Sequence, residues 1–293
     1  MQLEWPYEGA KPLPPGAPRF AQAGSNLCLD VHGDPCRSNL VVFSDGNHHM
    51  ALADALTAFL ARHPAVEDVF YVTTPPRIVE EAMKAGLLAI GTLRLTVAPH
   101  VFIGPAAILA RLEGEGWLGR PQPLARSRGI DMLTRKANPL RVAGPSDLAR
   151  EDVRIFLSNP ATESVSYQVY ATTLRHIGAR EGFDTAFLDR EAAPSSRIVY
   201  GECIHHREAP QCLADGRADV AIVFHHLALR YARAFPAMFD FIPLAREDDP
   251  GSVSRTSIAS VGDGGPWGRR LIEFMLGEEV ARIYREHGLE SGN

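Results

Sequence analysis

The chain has 293 residues, of which 45% are hydrophobic and 22% charged, with 30 Lys and Arg against 35 Asp and Glu. That length holds either two lobes or one large α/β domain of ordinary globular composition. A net charge of −5 gives no polyanion footprint, which argues against nucleic acid as a partner. No apolar run approaches the roughly 18 residues of a membrane span, so no direct membrane insertion is expected.

The first twenty residues carry Pro6, Pro12, Pro14, Pro15 and Pro18 and no apolar h-region. An arm of this kind over 1–37 fits the mature form of an exported chain; a cytoplasmic chain would also read this way. Residues 40–43 form a short β-branched and aromatic run, read as a buried strand. A helix follows with apolar residues at Met50, Leu52, Leu56, Phe59 and Leu60, capped by Asp45 or Asn47. His48 and His49 then fall in its first turn. Residues 69–72 read as a second strand. Thr73-Thr74-Pro75-Pro76 leads into a helix over 77–84 that Gly86 ends. Further strands are expected at 93–97 and 101–103, with a short helix at 106–112.

After a linker, 132–136 reads as a strand, 146–148 as the start of a short helix and 153–157 as a strand. A loop over 158–163 precedes a helix at 165–177 with Thr162 as its cap. A strand at 198–200, a helix at 208–214 closed by Gly216, a strand at 220–224 and a helix at 228–235 follow. Strands at 241–244 and 256–261 and helices at 267–276 and 279–287 complete the chain. Alternation of strands and helices means an α/β class with mainly parallel sheets flanked by helices.

Three adjacent histidine pairs, His48-His49, His205-His206 and His225-His226, hold six of the eleven histidines. Each lies where an apolar strand hands over to a loop or helix. Imidazole is the commonest metal ligand and titrates near neutrality, so the pairs suggest one site built from distant segments. The alternative is that the second His of each pair is solvated or caps a helix. Four cysteines, Cys28, Cys36, Cys203 and Cys212, form no C-x-x-C motif. Their spacing suits two local disulfides, Cys28–Cys36 and Cys203–Cys212, in an oxidising compartment, or four free thiols in a reducing one. No dinucleotide fingerprint, Walker loop, H-E-x-x-H or G-x-S-x-G is present. The recurring unit is instead strand, small polar loop and helix N-terminus. Several such N-termini at one cleft would suit an anion.

Several segments carry a family resemblance: Leu40-Val41-Val42-Phe43-Ser44 with Ala51-Leu52, residues 81–86, Val101-Phe102-Ile103-Gly104, residues 155–162, residues 216–224 and the ending 274–288. In order and spacing they resemble the type II periplasmic solute-binding proteins of the molybdate/tungstate-binding class. The resemblance implies two α/β lobes closing on a ligand, with lobe one at 38–125 plus 243–293 and lobe two at 126–242. It implies a cognate ABC-transporter permease as partner, a small inorganic ligand, a periplasmic or extracytoplasmic location, and no enzymatic activity. Its ligand-contacting positions fall on Ser44, Asn47, His48, Thr73, Thr74, Ser158, Thr162, His206 and Phe224.

Hydroxyls and backbone amides hold oxyanions in such sites. The Asn-His-His stretch, the His-His at 205–206 and the absence of a phenol at Phe224 depart from that pattern. A molybdate- or tungstate-like oxyanion is the expected ligand. A divalent transition metal (Zn, Ni or Cu) on His48, His49, His206 and His226, completed by Asp45 or Cys203, is the alternative. Of basic residues the candidate loops hold only Arg77 and Arg207. A metal-dependent hydrolase or lyase would need a general base, with Glu163, Glu202 or Glu208 as candidates. A transcription-regulator effector domain would share the fold, but no helix-turn-helix is apparent.

Overall fold

The computed structural model describes residues 2–6, 8–12, 30–90, 92–188, 197–202, 204–246, 249 and 251–292. In chain order it runs β1 (Val31–His32), β2 (Leu40–Ser44), α1 (His49–Arg62), β3 (Val69–Thr73), α2 (Pro76–Ala85), β4 (Leu88–Ile90), β5 (Leu93–Leu95), β6 (Val101–Pro105), α3 (Ala106–Gly114) and β7 (Gln122–Ser127). It continues with β8 (Gly129–Arg135), β9 (Ile155–Leu157), α4 (Ser164–Glu181), β10 (Ile198–Tyr200), α5 (His205–Ala214), β11 (Val220–Phe224), α6 (His225–Ala234) and β12 (Phe239–Arg246). The last elements are β13 (Arg255–Ser260), α7 (Gly265–Met275), α8 (Glu278–Glu286) and β14 (Leu289–Ser291).

The chain divides into two compact units: Tyr7–Arg126 with Arg255–Asn293, the flanking unit, and Met1–Pro6 with Ser127–Ser254, the inserted unit. The second boundary lies at 254/255 rather than 243, because β12 pairs with β8 from Phe239 to Arg246. Of the expected arm over 1–37, residues 2–6 group with the inserted unit and Val31–His32 pairs with β3, while 13–29 lie outside the described residues.

The flanking unit is built on a seven-stranded sheet of order β1-β3-β2-β6-β13-β7-β14. At its centre β3, β2 and β6 run parallel, and β1 and β13 are antiparallel additions. Both faces of β2 are buried. Leu40 and Val42 pack with Leu52, Leu56 and Phe59 of α1, Leu271 of α7 and Tyr284 of α8. Val41 and Phe43 pack with Val79 of α2 and Leu109 of α3. Covering helices on both faces explain why β2 reads as a continuous apolar run rather than an alternating one. Pro76 opens α2 in its first turn, and Gly86, at φ +63°, ends it in the left-handed region as expected.

The inserted unit carries a five-stranded sheet of order β10-β9-β11-β8-β12. Here β10, β9 and β11 are parallel, while β8 and β12 are antiparallel. Both sheets are thus mixed, with parallel pairing where a helix returns the chain. Edge strand β12 tolerates Pro243. No described helix is long and apolar enough to cross a membrane.

Four helix starts differ from expectation in a cap or by a full turn. The residue before α1 is His48, not Asp45 or Asn47, and the one before α4 is Glu163, not Thr162. Helices α5 and α6 begin at His205 and His225, one turn before 208 and 228. Strands β1, β4, β7 and β14 have no counterpart in the sequence reading.

Candidate functional site

In the flanking unit the register sets Ser44 opposite Thr73, so Asp45 and Thr74 leave the parallel sheet side by side. Thr73 Oγ1 donates to Asp30 Oδ1 at 2.9 Å. Thr74 is fully buried, and its Oγ1 has no hydrogen-bond partner. Asp45 is 2% exposed, with Oδ1 accepting the Asn47 N–H at 2.9 Å. Burial pushes its carboxyl up to about 6.

His48 is buried in a continuous chain of hydrogen bonds. The Ser44 hydroxyl donates to the Asp45 carbonyl at 3.0 Å. Ser44 Oγ therefore accepts from His48 Nε2–H at 2.9 Å, which leaves His48 Nδ1 to accept from the Tyr284 phenol at 2.8 Å. Burial lowers the imidazole to about 3, so it is neutral, as the chain requires. His49 is spent likewise: Nδ1 donates to the Gly46 carbonyl at 2.9 Å, and Nε2 lies 3.2 Å from Glu8 Oε1.

In the inserted unit β9 delivers Ser158, fully buried with Oγ unpartnered. Thr74 and Ser158 thus occupy matching places, one just beyond β3 and the other just beyond β9. Two residues before Ser158, Phe156 stacks on the His205 ring at 5.0 Å and 10°, and Tyr170 closes on the same ring at 5.6 Å. The Phe156 carbonyl takes the ring's one hydrogen bond, and Nε2 is left buried without a partner. Burial holds this imidazole at about 3. Neutral His205 therefore carries its proton on Nδ1 and presents a bare lone pair at Nε2.

A family model for bacterial extracellular solute-binding proteins matches residues 40–290. The chain belongs to that family. Among solved structures, the periplasmic molybdate-binding protein of Azotobacter vinelandii is 16% identical with a TM-score of 0.63, the match covering 86% of this chain and 98% of that one. The sulfate-binding protein SubI of Mycobacterium tuberculosis is 13% identical at a TM-score of 0.63, covering 86% of each chain. L-phospholactate-bound PEB3 of Campylobacter jejuni is 18% identical at a TM-score of 0.60, covering 86% of this chain and 100% of that one. These likenesses are of fold. No curated protein matches in sequence.

The remaining expected contacts of this solute-binding protein distribute unevenly. Thr162 is exposed on its loop, and Asn47 is partly buried, with its N–H held by Asp45. Phe224 is buried against Tyr170 at 5.1 Å and stacks on His226 at 5.6 Å. Its N–H is given to the Tyr170 phenol oxygen. The N-terminus of α5 is closed by the chain's own carboxylates. Glu163 Oε2 accepts the His205 N–H at 2.9 Å, and Glu208 accepts those of Ile204 and Glu202 at 2.7 and 2.9 Å. That terminus is not an open anion cradle, and Glu163 and Glu208 are committed caps rather than free general bases. Burial nonetheless pushes Glu163 up to about 7.

His206 and His226 are both buried, and the His206 carbonyl accepts the Tyr231 hydroxyl. With both nitrogens of His48 spent, the expected metal set loses a ligand in the flanking unit. Among the described residues no three His, Cys, Asp or Glu side chains are arranged to hold a metal ion. The expected disulfides each include a residue, Cys28 or Cys203, outside the described set. Cys36 is exposed, and buried Cys212 has its thiol pushed up to about 11.

Proposed function

We propose that this chain is the solute-binding component of an ABC transporter and captures a small tetrahedral oxyanion, the class to which molybdate and tungstate belong. It would act outside the cytoplasm, hand its ligand to a membrane permease and catalyse no reaction. The observation that carries this reading is the pair of fully buried, unpartnered hydroxyls, Thr74 Oγ1 and Ser158 Oγ. A buried hydroxyl without a partner costs about 1–3 kcal/mol, and native structures leave few such groups without a reason. Each lies just beyond the carboxyl end of a parallel strand in its own unit and is a neutral donor awaiting an acceptor. An oxyanion supplies several acceptor atoms, and a donor to a charged acceptor contributes about 1.5–3 kcal/mol.

Thr74→Val and Ser158→Ala test this directly. Each removes an unsatisfied hydroxyl with little change in shape, so each is expected to raise the stability of the ligand-free protein by about 1 kcal/mol or more. Each should also weaken oxyanion binding about tenfold or more. Thermal shift with molybdate, tungstate, sulfate, phosphate and divalent metals reads both effects, because a ligand of the native state raises Tm. A panel in which only metals raise Tm would overturn the oxyanion reading.

A further inference from the structure

His205 has no role in the reading so far, yet it is buried and fixed from several sides. Its ring is 2% exposed, stacked on Phe156 and bounded by Tyr170. Its backbone N–H is fixed by Glu163, and Gly201 lies so close that a Cβ there would sit 3.1 Å from His205 Cα. The Nδ1 proton is given to the Phe156 carbonyl, so the tautomer is determined, and Nε2 is a buried acceptor that no protein group satisfies. Ser158 follows Phe156 by two residues, and alternation along an extended chain sets their side chains on the same side. Ser158 Oγ and His205 Nε2 are thus one donor and one bare acceptor, both buried and without a protein partner.

A fully deprotonated oxyanion such as sulfate or molybdate offers only lone pairs. It would satisfy Ser158 and leave Nε2 confronting another acceptor. A metal ion would accept the lone pair but needs three or four ligands, and the described residues group no three. An O–H on the ligand satisfies Nε2 and leaves the remaining ligand oxygens for the Ser158 hydroxyl.

Resting on the oxyanion reading above, we propose that the ligand is a tetrahedral oxyanion that keeps an O–H at neutral pH, of the hydrogen phosphate or hydrogen arsenate type, and that His205 Nε2 accepts that proton. His205 is then a specificity-determining residue: it excludes tetrahedral anions of similar size that carry no hydrogen.

The test compares inorganic phosphate with monofluorophosphate, sulfate and molybdate at pH 8, by titration calorimetry on the whole chain. At that pH phosphate still bears one O–H, whereas monofluorophosphate has a similar shape and charge and bears none. Phosphate is expected to bind about tenfold more tightly or better, since the alternative leaves a buried acceptor unmet. His205→Phe, which keeps the stacking on Phe156, should erase that preference. The wild-type comparison needs no variant, so it stands even where His205→Phe folds poorly. Equal binding of monofluorophosphate or sulfate would overturn the proposal while leaving the oxyanion reading in place. A phosphate preference that survives in folded His205→Phe would overturn the role of His205. If no oxyanion binds at all, the reading beneath the proposal falls with it.

Discussion

Asp45→Asn is expected to stabilise the protein at pH 7 by about 3 kcal/mol, a gain that vanishes near pH 4. The Asp45 carboxyl is 2% exposed and pushed from 3.8 to about 6 by burial. Its folded value lies above its unfolded one, so the folded state holds the proton more tightly. Stability is then fully present below about 4, falls as pH rises to about 6, and stays low above it, at about 1.4 kcal/mol per pH unit. Asn keeps the oxygen that accepts the Asn47 N–H and drops only the charge. His48, three residues on, works in the opposite sense. Its folded value of about 3 lies below the usual 6.5, so stability is lost as pH falls from about 6.5. Between pH 4 and 6 the two slopes oppose, and the wild-type stability contributed by this pair is nearly flat. Asp45→Asn removes one slope and exposes the other, so the variant should lose about 1.4 kcal/mol per unit on acidification below pH 6.5. Urea unfolding at pH 4, 5, 6 and 7 reads both features. A difference between wild type and variant that does not change with pH would show that the carboxyl titrates as if solvated.

The α/β class and most element positions were legible because the signals were strong. Fully apolar runs such as 40–43 and 220–224 became central strands, and helical spacing from Met50 to Leu60 became α1. What escaped were edge pieces. Strand β1 has two residues, β4 and β14 have three each, and β7 is largely polar; such strands are defined by the neighbour they pair with rather than by their own pattern. The early starts of α5 and α6 were missed for a related reason. Histidine is an indifferent helix former, and at α5 the free N–H groups are held by Glu163 and Glu208, a tertiary arrangement that local spacing does not reveal.

The candidate site was legible as an address and not as chemistry. The sequence reading had Thr74 and Ser158 directly after strands, as they are in the fold, while the histidine pairs suggested a metal. The sequence could not show that Ser44 and Tyr284, 240 positions apart, would claim both nitrogens of His48. Nor could it separate His205 from His206, because only the start of α5 at 205 turns the first ring back onto β9.

The same hydrogen-bonded chain gives the second large prediction, because a structural His48 and a metal-ligating His48 respond in opposite ways to mutation. In the structure His48→Ala opens a cavity in a buried site and strands the Tyr284 hydroxyl, so a loss of about 3–5 kcal/mol is expected in the ligand-free protein. Tyr284→Phe is milder. It keeps the ring that packs against α1 and removes only the donor to His48 Nδ1, leaving that nitrogen buried and unmet at about 1–3 kcal/mol. Since the two side chains act through one bond, the double variant should lose less than the sum of the two single losses, and the shortfall measures their coupling. A ligand histidine would behave otherwise: freed of the metal, its replacement would change stability little, couple to nothing at Tyr284, and abolish a metal-induced rise in Tm. Urea unfolding of the four proteins in chelator separates the cases, with strictly additive losses counting against the chain of Tyr284, His48 and Ser44.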